Sequence, residues 1–174
     1  FKRFGFEEVS DCDFTCKKDY YKLDLTHGVY PEFLISCKSE DGLLRLSGQI
    51  DCLILDGHDV YILDYKTNKE IKKSGYFDKM KKQKQTLKYP LNHLDDCNWN
   101  VYQMQLSTYA YMIQTLRPEL NIKKLMIYHI DHGGNETVHE CQYLKKEVIR
   151  MLNHYKKSIK VQQQLDKNKP IKLC

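Results

Sequence analysis

No apolar run approaches the roughly 18 residues that a membrane-crossing helix requires, which excludes such a span from the sequence pattern. No signal-peptide pattern opens the chain either. It starts at Phe1, not Met, so an N-terminal portion of a longer protein is expected to precede it. No internal repeat is present. The cysteines at 12, 16, 37, 52, 97, 141 and 174 are odd in number and scattered. Cys12 and Cys16 have i, i+4 spacing, but no second close pair follows. That pattern argues against a disulfide framework and against a metal site built on paired cysteines. Thiols inside likely strands, at 37, 52 and 141, behave as small apolar residues, and a reducing, cytoplasmic compartment is expected.

What is present bounds the answer. The 174 residues are 41% hydrophobic and 11% aromatic, which suits one folded domain over 1–174. A net charge of +5, with pI near 8.7, is mildly basic and fits a phosphate-rich partner.

The most informative stretch runs from Leu46 to Thr67. Two β-branched-rich runs flank Asp56-Gly57-His58-Asp59, which reads as a β-hairpin. A turn centred between Gly57 and His58 sets Asp51 directly opposite Asp64. A turn centred on Asp56-Gly57 sets Gln49 there and leaves Asp51 diagonal. Lys66 lies two residues past Asp64 and projects from the same face. Either way, two carboxylates and a lysine converge at one end of an apolar hairpin, which is costly unless something binds there. A cross-strand ion pair on a solvated hairpin is the simpler alternative.

The remaining elements follow from periodicity. Residues 1–26 carry Phe1, Phe4 and Phe6 as core-directed positions, with Tyr20, Tyr21, Leu23 and Leu25 suggesting a helix or strand. A strand is expected over Val29–Lys38, with Pro31 near its start, then a turn at 39–42. A long strand covers 43–55, with Gly48 as a bulge or close-approach point, and a third covers 60–66. Residues 67–100 form a polar insertion with eight lysines between 69 and 88 against Glu70 and Asp78. A helix is expected within it, over about 75–87, followed by a loop anchored by Trp99. A largely buried helix follows from about Asn100 to Leu116, stopped by Pro118. Its apolar positions are Val101, Met104, Ala110, Ile113 and Leu116. Strands at 124–130 and 137–143 flank a turn at 131–135. A C-terminal helix over 144–165 carries Val148, Met151, Leu152, Tyr155 and Ile159 as its stripe. The fold class is therefore α/β or α+β, a central mixed sheet flanked by helices, whose strand order the pattern does not fix.

Gly48-Gln-Ile-Asp51, then Ile62-Leu-Asp64-Tyr-Lys66-Thr67, then Gln105-Leu-Ser-Thr-Tyr109 resembles the PD-(D/E)XK nuclease superfamily. Within it, the chain is similar to the RecB-like branch, which includes phage exonucleases and mitochondrial single-strand exonucleases. The wording of residues 88–112 resembles versions in tailed phages, for which the compartment is the bacterial host cytoplasm. The likeness covers about residues 29–130 and implies a restriction-endonuclease-like core.

It also implies a chemistry. Asp51 and Asp64 would hold Mg²⁺ or Mn²⁺ with the backbone carbonyl of Tyr65, since hard cations take oxygen ligands. Lys66 would orient the attacking water; beside two acids it is not easily deprotonated, so its role is electrostatic. Glu32 is the preferred further acidic ligand and His27 the second choice. Gln105 and Tyr109, one helical turn apart, would contact the DNA backbone, a role that the likeness does not extend to Gln103. The iron–sulfur variants of the family use three C-terminal cysteines. Only Cys174 lies there, so no such cluster is expected.

Lys72, Lys73, Lys81 and Lys82 are the candidate phosphate-contacting residues of the insertion. Tyr76, Phe77, Tyr89 and Trp99 are candidates for stacking single-stranded bases. The expected activity is a metal-dependent deoxyribonuclease, an exonuclease acting in DNA replication, recombination or processing, with no membrane partner. The alternatives are a catalytically silent DNA-binding or virion-structural domain within a larger assembly, and a restriction-type endonuclease.

Overall fold

Alternating apolar residues build the sheet and one apolar helix covers it. The computed structural model describes residues 25–80 and 82–167. The expectations for Phe1, Phe4, Phe6, Tyr20, Tyr21, Leu23, Cys12, Cys16, Lys81 and Cys174 lie outside the described residues. In chain order the elements are β1 (Gly28–Lys38), β2 (Arg45–Asp56), β3 (Asp59–Lys66), β4 (Phe77–Asp78), β5 (Gln83–Lys84), α1 (Asn98–Leu116), β6 (Asn121–Ile130), β7 (Glu136–Cys141) and α2 (Lys145–Lys167). Five strands form one sheet in the order β1-β2-β3-β6-β7, and only β3 and β6 pair in parallel. The expected mixed sheet with flanking helices is what the chain adopts.

The hairpin register is settled. Cys52 pairs with Leu63 and Asp56 with Asp59, so the turn is centred between Gly57 and His58. Gly57 supplies a φ of 60°, the left-handed dihedral that two-residue hairpin turns require.

The main core lies between the sheet and α1. Ile50, Leu53, Leu55, Val60, Ile62, Leu125 and Ile127 from the strands meet Leu106, Ala110, Met112 and Ile113. Val29, Cys52, Ile54, Leu63 and Met126 form a smaller cluster on the opposite face. Burial pushes the thiols of Cys52 and Cys141 up to about 12, so both stay protonated and act as apolar residues. Among the helix positions expected to be apolar and buried, Val101 is 47% exposed. A polar row takes the side of α1 that meets the β7–α2 junction. Gln103 Oε1 accepts from Gln142 N–H at 2.9 Å, and Ser107 Oγ accepts from Leu144 N–H at 2.9 Å. α2 then packs Val148 and Leu152 on Leu44, Leu91 and Met104. Tyr155, expected in that stripe, is 60% exposed.

The helix expected over 75–87 does not form. Those residues make the short antiparallel pair β4–β5. An exposed helix needs a face to bury, and Tyr76, Phe77 and Met80 are all exposed here. The backbone is instead clamped by Asp95, which accepts from Gly75 N–H at 3.0 Å, and by Asp96 N–H donating to Gln85 O.

Candidate active site

The β2–β3 ladder stops at Cys52–Leu63, one rung short of Asp51 and Asp64. There the strands part, and Asp51 Oδ2 accepts the Tyr65 N–H at 2.8 Å. In a strand the carbonyl of a residue leaves on the same edge as its N–H, so the Tyr65 carbonyl faces the Asp51 edge as well. Asp64 is buried, with 2% of its surface exposed. Apart from Lys66 Nζ, which pairs with it, no donor reaches Asp64 Oδ2. Burial pushes the Asp64 carboxyl above its ordinary pKa; the Lys66 ammonium opposes the shift, and the Asp51 carboxylate adds to it. A buried carboxylate with one partner is expensive in a fold that could place an apolar side chain there.

Positions 98, 102, 105 and 109 fall on one stripe of α1, and Tyr102 of that stripe meets Lys66. Lys66 Nζ lies 4.8 Å from the centre of the Tyr102 ring, a contact that favours the cation. Gln105 Nε2 donates to Tyr109 Oη at 3.2 Å. A Cβ on Gly48 would lie 2.5 Å from Tyr109 Cε1, so the expected close-approach point is the seat of that ring. The stripe thus brings the Gly48, Asp64–Lys66 and Gln105–Tyr109 segments together. Gln103 is buried on another side of the helix, against Gln142.

Glu32 stands across from Asp51, between the paired rungs Pro31–Cys52 and Phe33–Ile50. It has a φ of 50°, uncommon for a residue with a side chain. At this rung both strands break their alternation. Tyr30 and Phe33 both belong to the helix-side core, as do Ile50 and Leu53. A one-residue skip in two neighbours at once keeps the sheet paired while exchanging its faces. The Glu32 carboxylate accepts from Gln49 Nε2, and both residues are exposed. His27, the second-choice ligand, pairs instead with Asp56 at 3.3 Å, at the turn end of the hairpin away from Asp64.

The insertion begins directly after Lys66 and is laced to α1. Asn98 donates to Glu70 O at 2.9 Å and accepts from Lys72 N–H at 2.7 Å. His129, opposite Lys66 on β6, is buried and contacts Asn68 O through Nε2 at 2.6 Å. Lys72 pairs with Glu70 at 3.2 Å, Lys73 sits 4.6 Å from the centre of the Trp99 ring, and Lys82 is exposed with a φ of 52°. Tyr76, Phe77 and Tyr89 are exposed. Trp99 is instead packed against the main core and against His139, so it is an anchor and not a free stacking face.

Sequence reasoning missed Asn98, Tyr102 and His129. The first two share the spacing that singled out Gln105 and Tyr109, and His129 continues the inward row of Leu125 and Ile127. It also missed the skip at Glu32, for which an acid at a left-handed position offers no local signal.

Among the described residues no group of three or more His, Cys, Asp or Glu side chains is gathered as a metal cage. The donor set is two carboxylates and a strand carbonyl. A hard cation that keeps most of its waters needs only one or two carboxylates, and the under-bonded, buried Asp64 Oδ2 suits it. The residues therefore fit a divalent ion of the Mg²⁺ type.

No curated protein matches the chain. Among solved structures it is similar to a protein from Eubacterium rectale provisionally named an exonuclease, with a TM-score of 0.50 and 12% identity. The likeness covers 83% of this chain and 49% of that one, so this chain spans about half its length. At that identity it speaks for the fold. The PD-(D/E)XK nuclease superfamily matches over residues 2–168, nearly the whole chain, with Asp51, Asp64 and Lys66 inside the match. The chain belongs to the PD-(D/E)XK nuclease superfamily.

Proposed function

We propose that this chain is a divalent-metal-dependent deoxyribonuclease that shortens DNA from an end. The observation that carries the reading is the buried Asp64 carboxylate, under-bonded beside Lys66 where β2 and β3 part from one another at Asp51. Members of this superfamily generally use divalent metals. A bound Mg²⁺ or Mn²⁺ would neutralise phosphate charge and lower the pKa of a bound water. Asp51, Asp64 and the Tyr65 carbonyl would hold it, and Glu32 would join them once released from Gln49. Lys66 orients the attacking water and balances negative charge developing on the phosphate. Gln105 and Tyr109, on the same helical stripe, position the DNA backbone. The RecB-like resemblance and the name of the Eubacterium rectale neighbour support the exonuclease assignment.

Incubation of linear and covalently closed circular DNA with Mg²⁺, Mn²⁺ or chelator tests this reading. Progressive shortening of linear DNA, dependent on metal and absent in Asp64→Ala, is expected, with circles left intact. Identical products from wild type and Asp64→Ala would contradict it. Discrete fragments from circles would replace the exonuclease with an endonuclease.

A further inference from the structure

We infer that the outer face of α2, together with Tyr89, forms a second binding surface, which takes the single strand leading to the active site. Lys146, Arg150 and Lys157 are exposed and recur at helical spacing, so their cations lie along one side of α2. They line a depression of about 370 Å³ whose other wall includes Tyr89 and His154. Among the described residues no carboxylate lines it. The nearest acid on the helix, Glu147, is 3.6 Å from His93 Nε2. Arg150 Nη1 lies 3.3 Å from His93 Nδ1, which links it to the His93–Glu147 pair. Together with Lys146 and Lys157 it still gives the concavity three cations, an anion site suited to backbone phosphates.

The other side of the same ridge is apolar. Tyr89 and His154, their rings 5.0 Å apart edge to face, also border a groove of about 630 Å³ that reaches Tyr155. Tyr89 is 71% exposed and Tyr155 60%. A cationic track alongside exposed aromatic faces is the arrangement that holds single strands, with phosphates on the charges and bases on the rings. A duplex keeps its bases stacked inward and leaves the aromatic side unused.

Position ties this surface to the site. Leu46 of β2 lines the apolar groove. Two residues along β2, about 7 Å at strand rise, Gly48 seats the Tyr109 ring. The groove thus lies within a few nucleotides' reach of Tyr109.

The inference rests on the nuclease reading for the identity of the ligand, and its test separates the two. Binding of a fluorescent single-stranded 30-mer and of the matching duplex is measured by anisotropy in chelator, across a salt series, with the full chain. Lys146→Gln/Arg150→Gln/Lys157→Gln should weaken single-strand binding about tenfold and flatten the salt slope by about 2, since each phosphate contact contributes about 0.7. Tyr89→Ala/Tyr155→Ala should weaken it about tenfold at unchanged slope, with little effect on duplex. Glutamine preserves helix propensity, and circular dichroism checks folding; if the triple variant fails to fold, Arg150→Gln and Lys157→Gln are measured singly. Unchanged affinity and slope in the charge variants would overturn the inference while leaving metal-dependent cleavage as evidence for the nuclease. Equal losses on single strand and duplex would overturn the single-strand assignment in favour of duplex backbone. Weakened single-strand binding in a chain that cleaves nothing would keep the surface and sink the nuclease reading.

Discussion

The β2–β3 hairpin and the insertion after it meet at Lys66 and are held by different means. The hairpin is a continuous ladder with Leu53, Leu55, Val60 and Ile62 buried beneath α1. Its functional groups are placed by strand register, which is local. The insertion has few buried side chains. Its second half packs Leu87, Leu91 and Leu94 near α2. Its first half is tied by single polar groups from its own far end, Asn98 to Glu70 and Lys72 and Asp95 to Gly75. In the first region a side chain is a position in a repeat; in the second it is the end of a long-range tether. Damage to the hairpin should therefore strike chemistry and stability together, whereas damage to a tether should loosen one segment.

Lys66→Met is the most severe test of the hairpin side. It leaves the buried Asp64 carboxylate without its cation, at a cost of about 3–5 kcal/mol in metal-free protein at neutral pH. Asp64 already has a raised pKa. A raised carboxyl contributes stability that is fully present below its unfolded value of 3.8 and is lost as pH rises through its folded value. The defect of the variant should thus shrink as the solution is acidified, which denaturant melts across pH will show. A pH-independent defect would mean that Asp64 does not carry the cost.

Gly48→Ala comes next. Its Cβ would meet the Tyr109 ring at 2.5 Å, a clash worth about 1–3 kcal/mol. Adding Tyr109→Leu should recover much of the stability and none of the activity. Full additivity in this double-mutant cycle would separate the two residues.

On the tether side, Asn98→Ala should cost about 1 kcal/mol and raise hydrogen exchange in residues 68–73 while leaving β2 and β3 protected. Faster exchange throughout the hairpin would erase the distinction between the two regions.

The smallest effect concerns Asp41, tied to Lys156 of α2 at 2.6 Å. Hydrogen bonds from Lys156 and Ser39 lower its pKa to about 2. A lowered carboxyl contributes stability that is present above its unfolded value of 3.8 and is lost as pH falls toward 2. A carboxyl NMR titration should show that low midpoint and its return toward the ordinary value in Lys156→Ala. An unmoved midpoint would remove the tether.

The same division explains how much was legible beforehand. Period-2 alternation placed Lys66 on the face of Asp64. The Gly-containing turn set the register that brings Asp51 to the same end of the hairpin, even though alternation breaks at its rung. The i, i+4 pair placed Gln105 with Tyr109. All three are short-range geometry written in spacing. The β4–β5 pair and the Glu32 skip depend on partners far along the chain, such as Asp95 and the facing rung of β2. No local pattern carries that information. Tyr102 is intermediate: its position on the site-facing stripe was readable, but its pairing with Lys66 required the register of β3 against α1.

The central claim is that Asp64 belongs to a metal-dependent phosphodiester site. The most direct measurement is the rate of nucleotide release from end-labelled linear DNA as Mn²⁺ is titrated into chelated wild type and Asp64→Ala. Wild type should show saturable activation by the metal, and Asp64→Ala should be slower by at least about 100-fold at every concentration. Equal rates in the two proteins, or release that ignores the metal, would contradict the account.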